Sequence, residues 1–452
     1  MSDKSVSRKL REDASAIVKA ALAAVDAEQA VKRYVKLGPH GLIVGGEAVE
    51  LAPLSRIITV GAGKASAAMA KALEDILGDR ISEGLVCVKY GHSVPLRRVK
   101  VVEAGHPVPD EAGVTAGRAI VDLLGSVGPN DLVIACISGG GSALLVSPAD
   151  GISLTDKKAV TNRLLNAGAS ISEMNTVRKH MSAVKGGRLM QAAYPARTVI
   201  LMLSDVVGDD PAVIASGPCA PDPSTYANAL TVLQRYGVGD RVFATVEDHL
   251  RRGKAGLLSE TPKPGDHIFR NVPQVIVASN IQALEAAKKQ ARDLGYEAVV
   301  LSSSVQGDTR EAAAFHAAIA REVRSSGNPV PPPACILTGG ETTVRVAGDG
   351  LGGRNQEFCL SLVRDAARIP GCLFAVVGTD GSDGPTDAAG ALVDDATLAR
   401  ATAAGLDPDF FLENNDSYHF FEKLGDLVIT GPTRTNVMDV RVILLARLPT
   451  YS

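Results

Sequence analysis

Tryptophan is absent from the 452 residues, and no excess of charge of either sign is present: 47 Lys and Arg stand against 50 Asp and Glu, a formal net charge of −3. The balance leaves no polycationic footprint for nucleic acid and favours a small-molecule partner. No stretch approaches the roughly 18 apolar residues of a membrane span, so no membrane role is expected. Cysteines are few and scattered: Cys87, Cys136, Cys219, Cys335, Cys359 and Cys372 form no CxxC pair. Several fall inside apolar runs, where a thiol behaves as a small hydrophobe, so buried free thiols are expected rather than zinc or disulfides. The first 22 residues mix both charges and hold no uninterrupted apolar core before a cleavage site, unlike a secretory signal. A reducing cytoplasm is the expected compartment.

What is abundant is glycine, 45 residues, together with alanine, in a chain that is 46% hydrophobic. This is the composition of helices packed tightly on sheets and joined by many sharp turns. Apolar positions at helical spacing predict one or two opening helices over residues 8–37. Short buried strands are then expected at 56–60, 84–88, 99–104, 131–137 and 197–203, with helices at 64–77, 112–124, 156–167, 171–189 and 228–250. A polar, proline-bearing stretch at 251–269 reads as a linker. Beyond it, strands at 274–278, 298–301, 334–337 and 372–378 alternate with helices at 281–294, 309–325 and 355–367. The alternation predicts an α/β protein of two parts, 1–265 and 266–452, the first built on a doubly wound, largely parallel sheet and the second on a further set of alternating elements.

In open parallel sheets ligands bind beyond the carboxyl ends of strands, so the residues just after each apolar run carry the chemistry. Gly61, Gly63, Lys64 and Ser66 follow the first strand. Glycines there let a phosphate approach the backbone at a helix N-terminus, although the same residues also make a plain tight turn with a solvated lysine. Neither a Walker A loop nor a Rossmann fingerprint is present: Ile58 occupies the first Walker glycine position, Ala65 follows the lysine, and Ser66 replaces the third Rossmann glycine. Ser138, Gly139, Gly140, Gly141 and Ser142 close another buried strand and offer several free N–H groups to an oxyanion. Basic groups gather at Arg178, Lys179, His180, Lys185 and Arg188, either a solvated face or the counter-charge for an anionic substrate. Asp205 ends a strand as a candidate base, Mg²⁺ ligand or N-cap. In the C-terminal half, Gly339, Gly340 and Glu341, then Arg354 and Asn355, then Asp380 and Asp383, form three polar glycine-rich loops. Arg354 would offer a planar fork to a phosphoryl group or carboxylate. Asp380 and Asp383 would either hold Mg²⁺ through oxygen or cap helices and close Asx-turns.

Taken in order, GAGKASAAMA at 61, GHPVPD at 105, SGGGSALL at 138, NTVRKHMSAVKGGRL at 175, LSDVVGDDPAVIASGP at 203, GGETTV at 339, GGRNQEF at 352 and GTDGSDGPTDAAGA at 378 resemble the class II glycerate kinases, whose C-terminal part is called the MOFRL domain. The resemblance implies an ATP-dependent, Mg²⁺-requiring kinase that phosphorylates D-glycerate at the 2-hydroxyl, with its active site in the cleft between two domains. It ties Lys64 and Arg354 most directly to activity, makes Asp205 the carboxylate partner, and adds His106 and Asn280 to the binding residues. Family members often have threonine where Cys219 stands. A homodimer is left open.

Two other functions compete at this stage. Members of the family have been named hydroxypyruvate reductases, and a Rossmann-like first half suits an NAD(P)H-dependent oxidoreductase, but the missing GxGxxG counts against it. A non-catalytic sugar-phosphate or nucleotide sensor would use the Ser138 loop without needing acid, base or metal ligands.

Overall fold

Strands with both faces buried need helices on both sides, and the strands Leu132–Ser138, Ala334–Gly340 and Cys372–Gly378 are buried from end to end. The computed structural model describes residues 3–39, 41–51, 56–237 and 243–448. It divides into two units, Ala27–Val277 and a second made of Met1–Asp26 with Ala278–Ser452. The opening helix Asp3–Ala24 therefore goes with the C-terminal elements rather than with the first 265 residues. The reason is its apolar stripe: Leu10, Ala14, Ile17, Val18 and Ala21 are all buried. Arg11 adds charged bonds of 2.6 Å to Asp394 and 2.7 Å to Asp426, and the Tyr296 hydroxyl donates to Asp13 at 2.6 Å.

The unit Ala27–Val277 opens with a small antiparallel sheet, β1 (Val35–Leu37), β2 (Gly41–Val44) and β3 (Glu47–Glu50), within a region whose first part was expected to be helical to residue 37. A six-stranded sheet follows from β4 (Ile57–Ala62), β5 (Ile81–Lys89), β6 (Val99–Ala104), β7 (Leu132–Ser138), β8 (Arg197–Leu203) and β9 (Gln274–Ala278). Its order is β6-β5-β4-β7-β8-β9, and the pairings from β6 to β8 are parallel. Counted from β4, this is the 3-2-1-4-5-6 order of the Rossmann fold, and the strand order reverses between β4 and β7. The helix expected over 171–189 breaks into Ile171–His180 and Arg188–Ala193. Gly186 and Gly187, at φ +59° and +81°, turn the chain between them.

Capping boxes start the helices Leu154–Asn166 and Ile171–His180, at Ser153 with Asp156 and at Ser170 with Glu173. Each such cap is worth about 1 kcal/mol. Val160, Leu164, Val177 and Met181 then pack with Tyr226, Leu230 and Val246 in an apolar cluster of their own. The expected helix at 228–250 is two helices, Tyr226–Arg235 and Ala244–Lys254, and residues 238–242 lie outside the described ones.

In the other unit a mixed sheet is built from β10 (Glu297–Val305), β11 (Ala334–Gly340), β12 (Cys372–Gly378), β13 (Gly390–Asp394), β14 (Leu427–Val428) and β15 (Asp439–Leu445). Its order is β10-β11-β15-β12-β13-β14, parallel only between β10 and β11. β15 runs antiparallel between β11 and β12, so the carboxyl ends of those two strands and the start of β15 share one edge: Asp439 pairs with Gly340 on one side and Gly378 on the other. All six cysteines are buried free thiols. Among the described residues no helix is long and apolar enough to cross a membrane.

Candidate functional site

At the carboxyl end of β4 the two glycines are fixed by the neighbouring strand. A Cβ on Gly61 would sit 2.2 Å from the Cys136 carbonyl oxygen, and one on Gly63, at φ +138°, would sit 2.1 Å from Ser138 Oγ. The glycine loops after β4 and β7 interlock as a result. The Lys64 N–H donates to the Gly139 carbonyl at 2.8 Å, and the Ala65 N–H donates to Ser138 Oγ at 3.0 Å. Ser66 Oγ donates to the Cys136 carbonyl at 2.8 Å and lies 3.3 Å from Ser138 Oγ. Gly140 faces the Lys64 side chain and the His106 ring: a Cβ there would be 3.3 Å from Lys64 Cγ and 3.0 Å from His106 Cδ2. Lys64, Ser66, His106 and the Ser138 to Ser142 loop therefore converge at the switch point of the sheet, where open α/β sheets bind ligands.

A third loop closes on these two. Ser142 Oγ and Ser216 Oγ lie 2.7 Å apart, and Ser216 Oγ donates to Asn175 Oδ1 at 3.2 Å. Ala215 and Ser216 adopt φ +52° and +62°, left-handed backbone that costs a non-glycine residue about 1–3 kcal/mol and is concentrated at functional sites. Lys185, fully buried, donates from Nζ to the Ala215 carbonyl at 3.3 Å. Arg178 lies on the helix that carries Asn175. Asp205 stands two residues past the end of β8, on the sheet edge that Ser138 also marks, since Ser138 pairs with Leu203. Ser216 and Asn175 were not singled out from sequence, because a serine and an asparagine inside longer motifs carry no chemistry until a partner is placed against them.

In the C-terminal unit the expected residues gather around one that sequence reasoning missed. Asp439 is fully buried and receives the Arg354 guanidinium as a fork, Nε to Oδ2 and Nη2 to Oδ1, both at 2.8 Å. Arg354 Nη1 meets Glu341 at 2.8 Å. Asn355 Nδ2 donates to Asp439 Oδ1 at 3.0 Å, and Arg441 Nη2 lies 3.3 Å from Oδ2. Burial would lower the Arg354 pKa, but the charge of Asp439 and its hydrogen bonds outweigh it and raise it. Asn280 Nδ2 donates to the carbonyls of Val437 at 2.7 Å and Asp439 at 2.9 Å, and a Cβ on Gly339 would fall 1.8 Å from its Oδ1. The signal for Asp439 was weak: one acid at the head of an apolar run.

The two acids expected to hold metal also cap a helix and close a turn. Asp383 accepts from the backbone N–H of Asn355 at 3.1 Å and of Gln356 at 2.8 Å, capping the helix Arg354–Ala366, while burial pushes its pKa up to about 7. Asp380 accepts from the Ser382 N–H at 3.0 Å in an Asx-turn. Among the described residues no group of three His, Cys, Asp or Glu side chains is placed to hold a metal ion.

Comparison with known proteins bears on both units. A family described as a domain of unknown function, DUF4147, matches residues 13–251, and the MOFRL family matches 334–439. The D-glycerate 2-kinase of Thermotoga maritima is 42% identical over 96% of this chain and 98% of its own. The glycerate 2-kinase of Pyrococcus horikoshii is 39% identical over 96% of this chain and 97% of its own. An Agrobacterium vitis protein with the provisional name hydroxypyruvate reductase is 48% identical over 87% of this chain and 88% of its own. A crystal structure of glycerate kinase from Thermotoga maritima, 42% identical, superposes with a TM-score of 0.85 over 97% of this chain and 100% of that one.

Proposed function

The chain belongs to the glycerate kinase family, with an N-terminal DUF4147 domain and a C-terminal MOFRL domain, and from that membership we propose that it transfers the γ-phosphoryl group of ATP to the 2-hydroxyl of D-glycerate, giving 2-phosphoglycerate and ADP. The observation that carries this reading is the end-to-end likeness to the Thermotoga maritima D-glycerate 2-kinase, 96% of one chain against 98% of the other. The interlocked loops of the Rossmann unit support it.

Phosphoryl transfer demands positioning and charge neutralisation more than covalent chemistry. In this reading Lys64 and Arg354 supply positive charge to the transferring group, and the Ser138 loop offers backbone N–H groups to an oxyanion. Asp205 orients the 2-hydroxyl and takes its proton. Asp439 holds Arg354 in one orientation through the two-point fork. Mg²⁺ would enter as the counter-ion of ATP, coordinated by phosphate oxygens and water, with no protein ligand assigned. Buried, unpaired cysteines support a reducing cytoplasm as the working compartment.

The oxidoreductase alternative fails on the loop after β4. Ser66 stands at the third glycine position of a dinucleotide fingerprint, is fully buried, and spends its hydroxyl on β7. A sensor needs no kinase relatives spanning its whole length. Phosphorus NMR after incubation with ATP, Mg²⁺ and D-glycerate should show 2-phosphoglycerate and ADP in equal amounts. NADH oxidation by hydroxypyruvate without ADP formation would overturn the proposal.

A further inference from the structure

Cations packed out of water are normally answered by carboxylates. Lys179 follows that rule, with Asp222 at 3.3 Å. Two buried lysines and a half-buried arginine beside it do not. Lys157 comes from the helix Leu154–Asn166, Arg178 from the helix Ile171–His180, and Lys185 from the glycine turn that follows. Lys157 is 4% exposed and Lys185 0%. They lie near enough to repel: burial first, then the charge of Arg178, brings Lys157 down to about 8, and burial, then Lys157 and Arg178, holds Lys185 well below its usual value. Among the described residues no carboxylate forms an ion pair with any of the three, and the one polar contact of Lys185 Nζ is the Ala215 carbonyl at 3.3 Å.

Folding alone gives no reason to assemble this group, since each cation costs desolvation energy and raises the cost of the others. The surroundings point to a ligand. The strained Ala215 and Ser216 bring the Lys185 contact and the Ser142 to Ser216 to Asn175 chain to one place, so the cluster adjoins the loop that closes the switch point. Hydroxy acids carry a group of matching charge and small size, the carboxylate. A hydrated Mg²⁺–triphosphate needs a more open mouth than two lysines this deeply buried provide.

We propose that Lys157, Arg178 and Lys185 form a buried oxyanion pocket that takes the carboxylate of the acceptor hydroxy acid, making Lys157 a specificity-determining residue. This rests on the kinase reading above. In the ligand-free protein burial and mutual repulsion disfavour the charged forms of the two lysines, and a bound carboxylate favours them.

The test uses the full chain with Lys157→Met and, as a polar variant of similar length, Lys157→Gln. Thermal unfolding is followed alone, with D-glycerate, with glycerol, which lacks the carboxylate, and with ATP and Mg²⁺; both KM values and kcat are measured. Expected results are a ligand-free Tm equal to or above that of the parent, loss of the stabilisation given by D-glycerate, a KM for D-glycerate raised at least about tenfold, and a KM for ATP within about twofold. Glycerol should stabilise neither form. Unchanged KM and unchanged D-glycerate stabilisation in both variants would overturn the proposal, and a raised KM for ATP alone would assign the pocket to the nucleotide and overturn it equally. Failure of the kinase reading itself would appear separately, as a parent chain that neither forms ADP with D-glycerate nor is stabilised by it.

Discussion

A single buried side chain can decide both stability and rate. Lys64 sits where two glycine loops lock together, and its side chain adjoins Gly140 and His106. Lys64→Ala should lower kcat by on the order of 10²–10³-fold, the usual loss when one donor to a developing negative charge is removed, while Tm moves by only a few degrees. An alanine enzyme with near-normal turnover would take the residue out of the mechanism. Asp439→Asn makes the opposite case: it removes the buried carboxylate that holds Arg354 and Arg441, leaving Arg354 only the half-exposed Glu341, and should cost about 3–5 kcal/mol, read from the urea midpoint, along with activity. For Asp383, the folded value near 7 lies above the ordinary carboxylate value near 4. The protonated form is thus favoured in the fold, so its contribution is complete below about pH 4 and is lost as pH rises through about 7. The stability difference between parent and Asp383→Asn should shrink across that window, and the Mg²⁺ concentration for half-maximal rate should be unchanged in the variant. Glycines and cations at strand ends were readable in the chain because their residue types are restrictive. Asp439, Ser216 and Asn175 were not, because their roles depend on partners brought from 85, 74 and 41 residues away.

At the scale of elements, the parallel strands of the Rossmann unit were legible as apolar runs because both faces are covered. β15 was not read as a strand: Asp439 and Arg441 interrupt its apolar character, and the reason for tolerating them, the Arg354 fork, lies on another element. The short strands β1, β2, β3, β13 and β14 give too little periodicity to separate from turns. The turn after β4 is the most constrained connection. Gly63→Ala forces a side chain into φ +138° and against Ser138 Oγ at 2.1 Å, which should separate the two loops, lower Tm by several degrees and abolish turnover. A crystal structure of that variant with the Lys64 N–H still on the Gly139 carbonyl would contradict this account.

For the whole molecule the consequential feature is the division of the chain, with Met1–Asp26 belonging to the unit that begins again at Ala278. A polypeptide of residues 278–452 alone should lack a cooperative thermal transition, because it leaves Asp394, Asp426 and Tyr296 without Arg11 and Asp13. Residues 1–26 joined to 278–452 through a flexible linker should restore one, as calorimetry would show; equal transitions with and without the helix would refute the assignment. Local pattern reading could place that helix but not its allegiance, since amphipathic spacing says which face is buried and nothing about what buries it. There is also a consequence in time. The helix Asp3–Ala24 must wait for its partners while Ala27–Val277 is made, 251 residues in between, or roughly 13–50 s at about 5–20 residues per second. For that interval Leu10, Ile17 and Val18 have no core to enter, so the nascent chain carries an exposed greasy handle, one suited to capture by a chaperone before the second half exists.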